Sequence, residues 1–331
     1  NQTFFICQIE IYSIRTEHLF RNLFKQSFSF QSMNKINITF LGTGNAIPTE
    51  KRNHTGILLS HGSENILFDC GESIQRQFKI AKISPSKLTR IFITHWHGDH
   101  ILGLPGLFQT LAMSNYQKTL HIYGPNGTKR FISLIQELLM HIKINIQVHE
   151  ISSGIVLNEK DFQILAENMI HGPHTLAYSF ILKDKIRLNK AKLKKLKLPN
   201  SPLLGKLQSG QDIIWQGKKI KASSLIYKEK GKKITIILDT KMNDKTISLA
   251  KNSNLLICES TFSEKEQQKA NEYEHLTAKN AATIAKRSKS EQLIITHISE
   301  RYEHNISIIE KEAKKVFKNS KAVKDFDSIV L

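Results

Sequence analysis

The chain has 331 residues, 40% of them hydrophobic and 23% charged, which allows a sizeable buried core and argues against a disordered polymer. No apolar run approaches the ~20 residues of a membrane-spanning helix, and three scattered cysteines, Cys7, Cys70 and Cys258, argue against a disulfide framework and for a reducing compartment. The formal charge of +19 is concentrated in residues 183–233, where 16 Lys or Arg face three acids, the distribution that a polyanionic partner selects.

Residues 1–32 stand apart. Asn1 is not a start methionine, whereas Met33-Asn34-Lys35 reads as a natural beginning, and the stretch is basic and rich in Ser and Phe. It is expected to be either a transit peptide or an over-extended gene model, outside the fold in both cases. Ile36–Leu41 then reads as a strand ending in the turn Gly42-Thr43-Gly44. The segments 56–60 and 65–69 bracket His61-Gly62 as a hairpin does. The apolar run Arg90–Thr94 predicts a buried strand. Phe131, Leu134, Ile135, Leu138 and Leu139 recur at helical spacing within 129–140, and the Ala-rich stretch 276–287 is helical too.

Three further apolar strands end in polar chemistry. The run 233–238 ends at Asp239-Thr240, the run 255–258 at Glu259-Ser260-Thr261, and the run 292–296 at His297. Alternating strands and helices predict an α/β sandwich. Sites in such folds gather at the carboxyl ends of strands, so these strands, with 90–94, are expected to form one site at one sheet edge.

Directly after 90–94 the chain reads His95-Trp96-His97-Gly98-Asp99-His100, three imidazoles and a carboxylate within six residues. Beside a core, such groups need partners for their lone pairs, and a zinc-like cation supplies one. His-x-His-x-Asp-His is the signature of the metallo-β-lactamase superfamily. Within it, Met33–Leu331 resembles the tRNase Z (ribonuclease Z) family. The resemblance rests on Leu41-Gly42-Thr43-Gly44, Pro48-Thr49 with Arg52-Asn53, and Phe68-Asp69-Cys70-Gly71-Glu72 with Gln75-Arg76. It continues through His171 with Thr175–Tyr178, Asp239-Thr240, Cys258–Phe262, His275–Ala278, Leu293–Ser299 and Arg301-Tyr302.

That resemblance implies an αββα sandwich carrying an inserted basic arm at about 183–233. It implies two Zn2+ per subunit, with Mn2+ or Fe2+ as alternatives. His95, His97 and His171 hold one ion, Asp99, His100 and His297 the other, and Asp239 bridges them. Asp99 also serves the attacking water, and His275 protonates the leaving oxygen. His174 is the rival of His171 as ligand, and Glu259 reads as a hydrogen-bonded structural acid. The implied activity is cleavage of precursor tRNA after the discriminator base by a cytoplasmic homodimer, or an organellar one if residues 1–32 are a transit peptide. Lys194, Lys195, Lys197 and Lys206 in the arm are expected to meet phosphates, and Arg52 and Asn53 to inspect the RNA 3′ end.

Three departures stand out. Glu50 takes a position where the family usually has Lys, Leu238 replaces the usual Gly, and Cys258 replaces the usual His. The alternative activity is hydrolysis of small phosphodiesters or esters, because the metal core does not by itself choose a substrate.

Overall fold

The computed structural model describes residues 35–331 apart from positions 141 and 173. The expectations for residues 1–32 fall outside the described residues, whereas His174, the rival of His171 as ligand, is described and exposed where His171 is buried. The chain divides into two compact units. The first takes the residues up to Glu150 together with Thr296–Ile306 and Ala322–Leu331, and the second takes Ile151–Ile295 and Ser307–Lys321.

The first unit is built on β1 (Ile36–Gly42), β2 (Gly56–His61), β3 (Glu64–Phe68), β4 (Arg90–Phe92), β5 (Thr119–Gly124) and β6 (Asn145–Glu150). β1 to β3 form an antiparallel meander, whereas β3 to β6 run parallel and are joined by helical crossovers. β1 and β2 are buried almost throughout, which explains their near-continuous apolar sequence. One sheet face is covered by helices. Leu104, Leu107, Phe108 and Leu111 recur at helical spacing along the helix Leu104–Met113 and pack with Ile74 and Phe78 of the helix Ile74–Ile80 against Leu58, Leu67 and Ile91. Each such side chain, fully buried, contributes roughly 1.5–3 kcal/mol.

The second unit carries β7 (Gly154–Asn158), β8 (Phe162–Met169) and β9 (Thr175–Leu182). It continues with four short strands, β10 (Lys185–Leu188), β11 (Ile213–Trp215), β12 (Lys218–Ile220) and β13 (Ile226–Glu229). The large sheet resumes with β14 (Lys233–Ile237), β15 (Leu255–Glu259), β16 (Leu293–Thr296) and β17 (Ser320–Ala322). Its order is β17-β16-β15-β14-β9-β8-β7. A last strand, β18 (Ser328–Val330), returns to the first sheet, whose order is β18-β1-β2-β3-β4-β5-β6. The expectation that strands 90–94, 233–238, 255–258 and 292–296 share one sheet is therefore corrected. β4 pairs in parallel with β3 and β5 in the first sheet, while β14, β15 and β16 are neighbours in the second. An apolar run reveals where a strand ends but not which strands it pairs with.

Between β9 and β14, which pair antiparallel with Lys233 opposite Ile181, the chain leaves the sheet. It forms the ribbon β10–β13, the hairpin β11–β12 and the helices Lys190–Lys195, Pro202–Gln208 and Ala222–Leu225. This segment has its own apolar cluster of Leu193, Leu198, Leu207, Ile213, Ala222 and Leu225. Lys194, Lys195, Lys197 and Lys206 are exposed. Despite its Pro and Gly, the segment after Leu198 is in part a helix: Pro202 occupies its first turn, where a missing N–H costs nothing. The two stems of the insertion touch. Leu182 donates its N–H to the Lys232 carbonyl at 2.8 Å, and a Cβ on Gly231 would lie 1.8 Å from the Leu182 carbonyl oxygen. Among the described residues, no helix is long and apolar enough to cross a membrane.

Candidate metal centre

In the first unit the His-x-His-x-Asp-His segment leaves β4 through Ile93 and Thr94 and enters the one-turn helix Gly98–Ile101. Its anchor is Asp69, fully buried just after β3. The Asp69 carboxylate accepts the Thr94 N–H and the Thr94 hydroxyl, both at 2.7 Å, and His100 Nδ1 donates to it at 2.6 Å. Because the Thr94 hydroxyl is spent on Asp69, its oxygen accepts from His95 Nδ1 at 3.0 Å. Both rings are thereby fixed with protonated Nδ1, and each turns Nε2 toward other ligand-type atoms. His95 Nε2 lies 2.9 Å from His97 Nδ1, while His100 Nε2 and His297 Nε2 each lie 3.2 Å from Asp99 Oδ2. Three donors converging on one buried point suit a transition-metal ion, whose other determinant is second-shell orientation of the kind Asp69 gives.

Glycine makes this packing feasible. Cys70 donates to the His100 carbonyl at 2.7 Å, Gly103 donates to the Cys70 carbonyl at 2.9 Å, and a Cβ on Gly103 would lie 2.0 Å from the Gly71 oxygen. The block Phe68–Glu72 and the ligand segment thus touch backbone to backbone. Sequence reasoning assigned Asp69 no role. A carboxylate closing an apolar strand before Cys-Gly was the available signal.

In the second unit His171 and Asp239 follow β8 and β14, and His171 Nε2 lies 3.6 Å from Asp239 Oδ2. His171 Nδ1 donates to the Glu274 carbonyl at 3.1 Å, while the Glu274 carboxylate accepts the Gly172 N–H at 3.0 Å. One residue therefore holds both the ring and its loop, a function the sequence did not reveal. His275 sits beside it, its ring 4.7 Å from that of His171. His275 Nδ1 lies 3.0 Å from Glu259 Oε1, a fully buried carboxylate that also accepts the Thr240 N–H at 2.8 Å and the Thr261 hydroxyl at 2.6 Å. Thr277, two residues on, caps the helix Ala278–Arg287 in a reciprocal capping box with Asn280, which fixes the approach of His275. Of the seven expected ligands, five thus lie in the first unit and two in the second.

The remaining expectations fare unevenly. Arg52 is buried, its guanidinium donating to Thr43 Oγ1 at 2.6 Å and to the Val323 carbonyl at 2.8 Å, and it faces inward rather than toward solvent. The expectation of Arg52 as an RNA contact is corrected on that ground: it ties its loop to the C-terminal segment. Asn53 donates its side-chain N–H to the Glu72 carbonyl at 2.7 Å, and its backbone N–H to Asp325 at 2.8 Å. Burial pushes the Asp325 carboxyl up and pulls the Arg52 guanidinium down from their usual ranges. Cys258 is fully buried, and burial, with the Glu259 charge behind it, pushes its thiol well up. It therefore stays protonated and is no candidate nucleophile.

Comparison with known proteins supplies the lineage. A family model described as Anti-Pycsar protein Apyc1 matches residues 36–198. Ribonuclease Z of Methanothermobacter thermautotrophicus is 39% identical over 282 residues, covering 85% of this chain and 92% of its own length. Ribonuclease Z of Bacillus subtilis is 37% identical over 297 residues, covering 87% and 97%. Among solved structures, human tRNase Z, short form, superposes with a TM-score of 0.65 at 26% identity over 88% of this chain and 98% of that one. The metallo-β-lactamase fold protein YhfI of Bacillus subtilis gives 0.66 at 20% identity over 90% and 100%. The fold is that of the metallo-β-lactamases.

Asp69→Ala is expected to weaken divalent-metal binding by about 10- to 100-fold, because the orientation of His95 and His100 depends on it. Competition against a chromogenic chelator reads this directly, and an unchanged affinity would show that Asp69 serves only the fold.

Proposed function

The chain belongs to the ribonuclease Z family, and on that premise we propose that it is a metal-dependent endoribonuclease that removes the 3′ trailer of precursor tRNA. Cleavage falls after the discriminator base and leaves a 3′-hydroxyl on the tRNA and a 5′-phosphate on the trailer. The observation that carries this reading is the near full-length identity to proteins named ribonuclease Z, in a chain that keeps every ligand-type residue of the family pattern.

The donor set fits transition metals: five imidazoles and two carboxylates, with the Nδ1 atoms of His95, His100 and His171 tied to oxygens and their Nε2 atoms turned toward other donors. We assign His95, His97 and His171 to one ion, Asp99, His100 and His297 to a second, and Asp239 to both, with zinc as the metal. Metal held by these residues would supply Lewis-acid stabilisation of the phosphodiester oxygens and a more acidic attacking water. Asp99 orients that water. His275 donates the proton that the departing 3′-oxygen needs. Glu259 holds its Nδ1, leaving Nε2 as the atom that carries the proton, and Thr240 and Thr261 keep Glu259 in place.

RNA is the substrate the charge distribution favours. The insertion packs Leu193, Leu198, Leu207 and Leu225 into its own core and turns Lys194, Lys195, Lys197 and Lys206 outward, so these lysines meet phosphates without reading sequence. We also propose a homodimer. Phe131, Leu134 and Leu138 form an exposed apolar stripe along the helix Thr128–Leu138, beside Trp96 and Ile101, and a second copy is its proposed occupant.

Incubating the protein with a trailer-bearing precursor and added zinc should give a single cut with the stated ends, and prior chelation should abolish it. An uncut precursor with metal bound would overturn the assignment. His275→Ala should lower kcat by about 10²- to 10⁴-fold and leave KM nearly unchanged. Replacing the leaving 3′-oxygen by sulfur, which needs no proton, should restore much of the rate, and failure of that rescue would deny His275 the role of acid. Light scattering should report a dimer for the native chain and a monomer for Leu134→Glu combined with Leu138→Glu; a dimer in both would place the interface elsewhere.

A further inference from the structure

Beyond the ligand loops, the second unit carries a polar cleft of about 470 Å3 lined by Lys241, Asn243, Gln267, Asn271, Asn280 and Arg287, with Met242 and Ile247 as apolar lining. Its hydrogen-bonding groups are sorted by sign. All four side-chain amide oxygens are consumed inside the protein. Asn243 Oδ1 accepts the N–H groups of Lys245 and Thr246 at 3.0 and 3.3 Å. Gln267 Oε1 accepts the Thr277 hydroxyl at 3.3 Å, and Asn271 Oδ1 accepts from Gln267 Nε2 at 3.0 Å. Asn280 Oδ1 accepts the N–H of Thr277 at 3.1 Å, as part of the capping box.

Asn243 and Gln267 also spend amide N–H groups inside the protein, but other donors are left over. Among the described residues, no acceptor meets the Lys241 ammonium or the Asn271 amide N–H2, and that of Asn280 faces only the Met242 sulfur at 3.6 Å, a weak acceptor. The one acid in the lining, Asp244, is paired with Arg287 at 3.7 Å and is almost wholly exposed. A cleft that offers N–H groups and positive charge but few free acceptors selects a ligand rich in acceptors, namely phosphate oxygens and base carbonyls.

We propose that this cleft binds one nucleotide of the RNA substrate, with its phosphate on Lys241, Asn271 and Asn280 and its base against Met242 and Ile247. The inference rests on the ribonuclease reading above and adds a subsite to it. Lys241 stands two residues after Asp239, so the occupant is a nucleotide close to the scissile phosphodiester. The contact made by Lys241 is ionic and insensitive to sequence, whereas an amide N–H2 can favour bases that present a carbonyl.

The test compares Lys241→Ala, Lys241→Arg and Asn271→Ala with the native chain, on precursor tRNA and on bis(4-nitrophenyl) phosphate, a diester too small to span the cleft. Both positions are exposed, so the variants should fold. For Lys241→Ala and Asn271→Ala, KM for the precursor should rise about 5- to 10-fold with kcat little changed, and far more than any change on the small diester. For Lys241→Ala the salt dependence of precursor binding should also fall by about one unit of slope, and Lys241→Arg should restore it. Equal losses on both substrates would mean damage to the reaction centre and would overturn the subsite, as would unchanged KM in both alanine variants. A native chain that hydrolyses the small diester but spares the precursor would instead sink the ribonuclease reading, an outcome distinct from failure of the cleft.

Discussion

One buried carboxylate governs the geometry of the first unit. Asp69 has no exposure and accepts from a backbone N–H, a hydroxyl and an imidazole. A carboxylate taken out of water is tolerable only with such a full set of donors. Each donor it satisfies is thereby fixed in direction: the Thr94 hydroxyl can then only accept from His95, and His100 can only present Nε2 to its neighbours. A single charge thus sets the tautomers of two rings whose sequence positions are five apart. The glycines at 71 and 103 let the two loops approach closely enough for this to happen.

The second unit solves the same problem with different parts. Glu259 repeats the theme of a buried carboxylate with several donors, now around His275, while a backbone carbonyl does the orienting at His171. Orientation through a carbonyl costs no buried charge and survives any change of side chain at Glu274. The Glu274 side chain does separate work on the Gly172 N–H, so its loss would loosen the loop rather than the ring. Electrostatic preorganisation in both units is therefore provided by groups outside the ligand set.

Much of this was legible in the sequence because strand ends and ligand types are local features. Every strand expected from an apolar run between Ile36 and Thr296 exists to within a residue or two, and the expected helices over 129–140 and 276–287 are observed as Thr128–Leu138 and Ala278–Arg287. Pairing was not legible: nothing local to 90–94 says that its partners are β3 and β5 rather than β14. Arg52 misled for a related reason. An arginine in a Pro/Asn-containing loop reads as solvent-facing, and its partners, the Thr43 hydroxyl and the Val323 carbonyl, include one 271 residues away. Asp69 and Glu274 went unassigned, and Glu259 was read only as a structural acid, because orienting residues have no spacing signature. Their hydrogen-bond partners are set by the fold alone.

The insertion between β9 and β14 has a consequence for how such chains can vary. Its stems are closed at the root by the Leu182–Lys232 hydrogen bond and by the Gly231 contact, and Leu193, Leu198, Leu207, Ile213, Ala222 and Leu225 are spent on its own core. The sheet therefore sees a closed loop. The entropy of closing a loop grows only logarithmically, about 0.6 kcal/mol for each doubling of its length. Lengthening, shortening or recharging this segment is then almost free for the sheet beneath it. Selection can retune how substrate is gripped while the residues of the cleavage chemistry stay where β8, β14 and β15 hold them.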